Sequence, residues 1–126
     1  MTVKGDEMTK GKRMTLVEQA YESVKTAVSD CIIQSQASIT YDRRNDRMHI
    51  ESKRFLFTLP KEGLLEATIT LVGSGKTYPA VGYFLAGRRA RKALTYDEQA
   101  AWYALTEFRR FEKEEEGEES GGGKRK

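Results

Sequence analysis

The sequence holds a single cysteine and a single histidine in 126 residues. It can therefore build neither an internal disulfide framework nor a zinc site from Cys and His ligands. That cysteine usage fits a reducing compartment. No run approaches the ~18 consecutive apolar residues of a membrane span, and Met1–Arg13 lacks the apolar stretch of a signal peptide. An unexported protein with no membrane partner is expected, cytoplasmic, or in the host cytoplasm for a viral chain. There is no internal repeat and no recognisable catalytic constellation, so a non-enzymatic role without a cofactor is expected.

What is present suffices for one folded domain. Hydrophobic residues make up 38% and charged residues 33%, with five Phe, six Tyr and one Trp to fill a core. The length matches a single core, since chains usually divide only beyond ~200 residues. The net charge of +3 hides strong segmentation. Six Lys and Arg face two Asp and Glu over residues 43–61, four basic residues stand unopposed over 87–93, and six Glu face one Lys over 112–119. A basic middle points to a polyanionic partner. Residues 1–13, rich in Lys, Gly and Thr, and 112–126, acidic and then Ser-Gly-Gly-Gly-Lys-Arg-Lys, carry too little apolar surface to offset their ordering entropy. A flexible basic N-terminal tail, a domain over 14–111 and a flexible acidic-then-basic C-terminal tail follow.

Thr15-Leu16-Val17-Glu18 is a capping-box pattern, and Val17, Tyr21, Val24, Val28 and Cys31 follow at helical spacing. This predicts a helix over about 15–34. Ile39 and Tyr41, then Met48 and Ile50, alternate around Arg43-Arg44-Asn45-Asp46, which predicts a hairpin with Tyr41 opposite Met48 and Ile39 opposite Ile50. Phe55, Phe57 and Leu59 continue with shifted parity, so a bulge, bend or strand break is required near Ser52–Arg54. After Pro60–Gly63, a five-residue loop matches Leu65, Ala67, Ile69 and Leu71 to that strand, and Gly73–Lys76 turns into a last strand over Thr77–Ala86. Thr95-Tyr96-Asp97-Glu98 repeats the capping box, and Ala101, Ala104, Leu105, Phe108 and Phe111 form a second helical stripe over about 96–115, fraying past Phe111. The expected fold is α+β: an antiparallel four- or five-strand meander between an N-terminal and a C-terminal helix, both on one sheet face.

Four motifs resemble reactive sites and are better read as structure. Gly73-Ser74-Gly75-Lys76-Thr77 ends like a P-loop, but the first glycine is replaced by Thr70 and Thr-Tyr-Pro follows where a helix must start. It reads as a hairpin turn. His49 alternates with Met48 and Ile50 and so faces away from the core. Cys31 lies on the apolar stripe of the first helix and reads as a small buried hydrophobe. Asp97 and Glu98 serve a helix start.

The basic clusters carry the functional signal. Arg43, Arg44, Arg47, Lys53 and Arg54 surround the first hairpin, and Arg88, Arg89, Arg91 and Lys92 crowd behind Gly87, enough for several phosphate contacts. A sheet open on one face places residues of opposite parity there, and Leu56 and Tyr83, with Tyr78 or Phe84, would supply apolar or stacking surface between the basic edges. Basic edges with stacking rings suit a single strand of DNA or RNA. Trp102 and Tyr103 lie off the main stripe of the second helix, which points to an extended core or a homodimer contact.

The order helix, meander, helix, with basic hairpins and an acidic tail, is similar in architecture to small sheet-based single-strand binders such as the single-stranded DNA-binding proteins of some crenarchaea. In composition, with one Cys, one Asn and many Glu, Lys and Arg, the chain resembles small uncharacterised proteins encoded by viruses of hyperthermophilic archaea. The expected function is non-enzymatic nucleic-acid binding, single-stranded DNA or RNA, through basic hairpins and sheet aromatics. The alternative is a structural or protein-interaction protein, such as a virion or assembly component.

Overall fold

The computed structural model describes residues 14–86 and 94–121, which form a helical layer packed on one antiparallel sheet. Thr15 starts the first helix as its capping box requires, its Oγ1 accepting from the Glu18 amide at 3.1 Å. Helix α1 spans Leu16–Ala27 and helix α2 spans Ser29–Ser35. The sequence pattern predicts one continuous helix here, but the chain breaks at Val28, where φ is −125° and ψ 32°. Val28 is β-branched and Ser29-Asp30 are residue types that favour a new helix start, so local preference interrupts the stripe. Cys31 consequently leaves the core: it is half-exposed, and its thiol donates to Gln99 Oε1 at 3.6 Å.

Five strands follow, β1 (Ser38–Asp42), β2 (Arg47–Glu51), β3 (Phe55–Leu59), β4 (Thr68–Leu71) and β5 (Thr77–Pro79), neighbours in space in chain order and all antiparallel. The first hairpin has the expected register, Ile39 opposite Ile50 and Tyr41 opposite Met48. Its loop is held by the Asp42 carboxylate, which accepts from the Asn45 amide at 3.2 Å and from the Asn45 side chain at 2.7 Å. The required parity correction is a strand break. Ser52 N–H donates to the Phe55 carbonyl at 2.9 Å, while Ser52 Oγ accepts from the amides of Arg54 and Phe55, so Ile50 meets Phe57 and Met48 meets Leu59.

Two strand expectations change. A five-residue loop would set Phe57 opposite Ala67, but Phe57 pairs with Ile69 and Phe55 with Leu71. The cause is a 3₁₀ turn over Leu64–Glu66, entered through Gly63 at φ 112°, which takes up two more residues. A slip of two preserves side-chain parity, so the core is unaffected while Leu65 becomes 86% exposed. The last strand stops at Pro79 rather than Ala86, because the chain coils into a helical turn from Ala80 onward. Ala80 N–H then donates to the Ala67 carbonyl at 2.9 Å, and Gly82–Ala86 forms a π-helical turn.

Helix α3 spans Tyr96–Gly121. Its capping box is formed, with the Thr95 amide donating to Glu98 Oε1 at 3.1 Å. It runs through Glu112–Glu116 without the expected fraying. Glu and Lys are strong helix formers, and Arg110 bridges Glu107 and Glu114 at 2.8 Å each. Such (i, i+3) and (i, i+4) pairs support the helix at its acidic end. The acidic part of the expected C-terminal tail is therefore helical. Residues 1–13 and 122–126, the remaining tail expectations, lie outside the described residues.

The core is one layer. Val17, Ala20 and Val24 of α1 and Ala100, Ala101, Ala104, Leu105 and Phe108 of α3 close over Met48, Ile50, Phe55, Phe57, Leu59 and Ile69 of the sheet. The alanine face of α3 lets backbones approach closely, and Ser23 Oγ donates across to Glu107 at 2.8 Å. No helix among the described residues is long and apolar enough to cross a membrane. Val24 has no solvent exposure, so Val24→Asp buries an unpaired charge. It should cost several kcal/mol, on the order of the stability of a small domain. Urea unfolding monitored by far-UV circular dichroism tests this; a midpoint equal to wild type would show that α1 does not pack as described.

Candidate nucleic-acid interface

Strand alternation sends Ile39, Met48, Phe57 and Ile69 inward and their sequence neighbours outward, so the second sheet face is built from the latter. One cross-strand row on that face reads Thr40, His49, Thr58, Thr68, and the next reads Glu51, Leu56, Thr70, Thr77. The hydroxyls interlock: His49 Nδ1 lies 3.1 Å from Thr58 Oγ1, and Thr70 Oγ1 lies 2.8 Å from Thr77 Oγ1. Partial burial and the Arg47 charge hold the His49 imidazole below its ordinary pKa, so it is neutral at pH 7. Leu56, 38% exposed, and Pro79, opposite Thr68, are apolar residues of this surface.

No Phe, Tyr or Trp of the described strands stands on the open face. Tyr78 is opposite Ile69 and therefore points to the helix side, at the β5 edge. Tyr83 lies not on a strand but in the π-helical turn, 5.9 Å from Tyr78 and edge-on to Phe84 at 5.0 Å, and Phe84 is fully buried. The aromatic interleaving expected of a stacking platform resolves into core and core margin. Sequence parity could not reveal this, because it assumed that β5 continued to residue 86.

The basic residues divide between the two ends of the sheet. Arg43 and Arg44 occupy the exposed β1–β2 loop, with Arg43 4.0 Å from Glu18. Arg47 stands at the base of that loop, 3.8 Å from Asp42, with its Nε buried and making no hydrogen bond. Lys53 is exposed in the β2–β3 turn, one strand length away, or ~13 Å at ~3.3 Å per residue. Arg88, Arg89, Arg91 and Lys92 lie outside the described residues.

Arg54 has a different task. Its guanidinium forks onto Asp97, with Nη2 2.7 Å from Oδ1 and Nε 3.2 Å from Oδ2, and also reaches Thr95 Oγ1 and, at 3.6 Å, Glu98. This pair joins the β2–β3 turn to the start of α3. Burial alone would raise the Asp97 carboxyl, but hydrogen bonds from Arg54, Thr95 and Ser52 outweigh it and lower the pKa from 3.8 to about 2. No sequence signal links positions 43 residues apart, so composition counted Arg54 among the phosphate ligands while the fold uses it as a clamp. Gly73–Lys76 forms the β4–β5 turn, with Gly75 at φ 73° and a strand rather than a helix after it, which removes the P-loop reading. Among the described residues no group of three metal-ligating side chains comes together.

No protein-family model matches the chain, and no curated protein or solved structure matches it significantly.

A carboxyl with a folded pKa of about 2 against 3.8 unfolded contributes stability above pH 3.8 that is lost as pH falls through 2. The ceiling is about 2.5 kcal/mol at neutral pH, reduced because the Arg54 side chain is 49% exposed and partly screened. Asp97→Asn should therefore be less stable than wild type at pH 7, and the difference should shrink toward about pH 2. Urea midpoints across that range test it; a constant difference would show that the carboxylate charge contributes nothing.

Proposed function

We propose that the protein is a non-enzymatic nucleic-acid-binding module that grips the phosphodiester backbone. The observation that carries this reading is the hydroxyl-lined sheet face, covered by no element among the described residues, with exposed basic turns at both ends. Arg43, Arg44 and Lys53 would neutralise phosphates, with Arg47 beside the first two, while threonine hydroxyls donate to phosphate or sugar oxygens. Arg88, Arg89, Arg91 and Lys92 supply further positive charge in the sequence. Without aromatic rings on the face, base stacking drops out, and with it the reason to prefer a single strand over a duplex. Binding should be strongly salt dependent and weakly sequence dependent.

The experiment is an anisotropy titration of labelled single- and double-stranded oligonucleotides at two salt concentrations. Replacing Arg43 and Arg44 together with Ala should weaken binding to every sequence and reduce the slope of log K against log salt by about one per lost phosphate contact. Arg54→Ala, which removes the clamp on Asp97, should lower stability and leave the slope nearly unchanged. Unchanged affinity and slope in the double variant would overturn the assignment.

A second reading, a protein-interaction module, is favoured by Trp102, which stands 37% exposed on the outer face of α3. Large exposed aromatics are common anchors of protein interfaces.

A further inference from the structure

The two edges of the sheet are unequal. On one side β5 has three residues and ends in Pro79, which blunts it as an edge. On the other, β1 is five residues long, Ser-Ile-Thr-Tyr-Asp, with no proline, glycine or lysine to guard it. Hydrogen-bond parity shows what that edge offers. The Ser52 amide donates to the Phe55 carbonyl, so even-numbered residues of β2 pair with β3 and odd-numbered ones with β1. In the β1–β2 register, Arg47, His49 and Glu51 face Asp42, Thr40 and Ser38. The backbone groups of Ser38, Thr40 and Asp42 are thus engaged by β2. Those of Ile39 and Tyr41 point outward, where the sheet has no further strand among the described residues.

The side chains of β1 are symmetric in kind about Thr40: polar, apolar, Thr, apolar, polar. Ile39 and Tyr41 are half-buried on the helix side, at the margin of the core, and Tyr41 stacks on Tyr21 at 5.6 Å. We propose that β1 is a self-recognition edge, pairing antiparallel with β1 of a second copy about a two-fold axis at Thr40. In that register Ile39 exchanges an N–H···O=C pair with Tyr41 of the other copy, and the reciprocal pair forms by symmetry. Ile39 lies beside Tyr41 of the other copy on the helix side, so each apolar margin covers the other. On the open side Thr40 meets Thr40, and Ser38 meets Asp42, with no like charges opposed. A peptide of unrelated sequence would gain the main-chain bonds but not this side-chain match, which is why the occupant is a second copy. The product is a continuous sheet of ten strands, five from each chain, whose open faces join into one surface.

Three measurements test the edge. Full-length protein should show, by sedimentation equilibrium at several hundred micromolar, a mass near twice 14.3 kDa. Thr40 is exposed, so Thr40→Lys and Thr40→Glu should each keep the fold by circular dichroism yet place like charges opposite each other and sediment as monomers. An equimolar mixture of the two should regain the doubled mass, since Lys then faces Glu. In wild type, amide exchange at Ile39 and Tyr41 should slow with rising protein concentration, whereas Thr40, already bonded within the monomer, should not change. A wild-type monomer at all concentrations, dimers undiminished in both variants, or exchange at Ile39 and Tyr41 independent of concentration would overturn the proposal.

Discussion

A domain with one apolar layer has one place to put its helices, and that constraint organises this molecule. Every strand turns one face of its alternation inward, and because directly paired residues share a face, the inward residues of five strands form one layer. Among the described residues, fourteen of the seventeen buried hydrophobics lie in α1, α3 or strands β2–β4, so moving either helix to the other face would strip the layer of its cover. The fully buried Phe57, Phe84 and Leu59 set the depth of that layer, and the alanines of α3 let the helix descend onto it.

Polar contacts then decide how the helices sit at the ends of the layer. At one end Tyr41 Oη and Thr15 Oγ1 both donate to Asp46 Oδ1 at 2.6 Å, tying the start of α1 to the β1–β2 loop, where Asp46 adopts φ 54°. Burial and the bond to Asp46 raise the Tyr41 phenol above its ordinary pKa, so it stays a donor. At the other end the Arg54 fork holds the start of α3 against the β2–β3 turn. The two helices thus run antiparallel, each capped by a contact from a hairpin. These contacts consume Arg54 and Tyr41 and leave Arg43, Arg44 and Lys53 at the surface.

For the proposed nucleic-acid binding, the chemistry left is peripheral positive charge around a hydroxyl-lined face. Asp42, Arg47 and Glu51 leave that face with one negative charge, so positive potential is confined to the turns. Under the proposed function, such a surface would favour contacts to a regular backbone over reading of base edges. Joining two faces edge to edge through β1 would lengthen the surface without changing its chemistry.

The sequence by itself determined the elements and the inward face: two capping boxes started α1 and α3, and period-two alternation around Arg43–Asp46 fixed the first hairpin to the residue. These signals are local, carried by residues within four positions or across a short turn. It also located the parity break at Ser52–Arg54, since an apolar set cannot change sides without one. The break at Val28, the end of β5 at Pro79 and the continuation of α3 to Gly121 turned on local preferences close enough in energy that periodicity alone did not separate them. Only the tertiary structure decided which charges are spent. Arg54 meets Asp97 across 43 positions, Tyr83 turns toward the core margin, and the two basic turns stand at opposite ends of β2, because pairings distant in sequence depend on how the layers close.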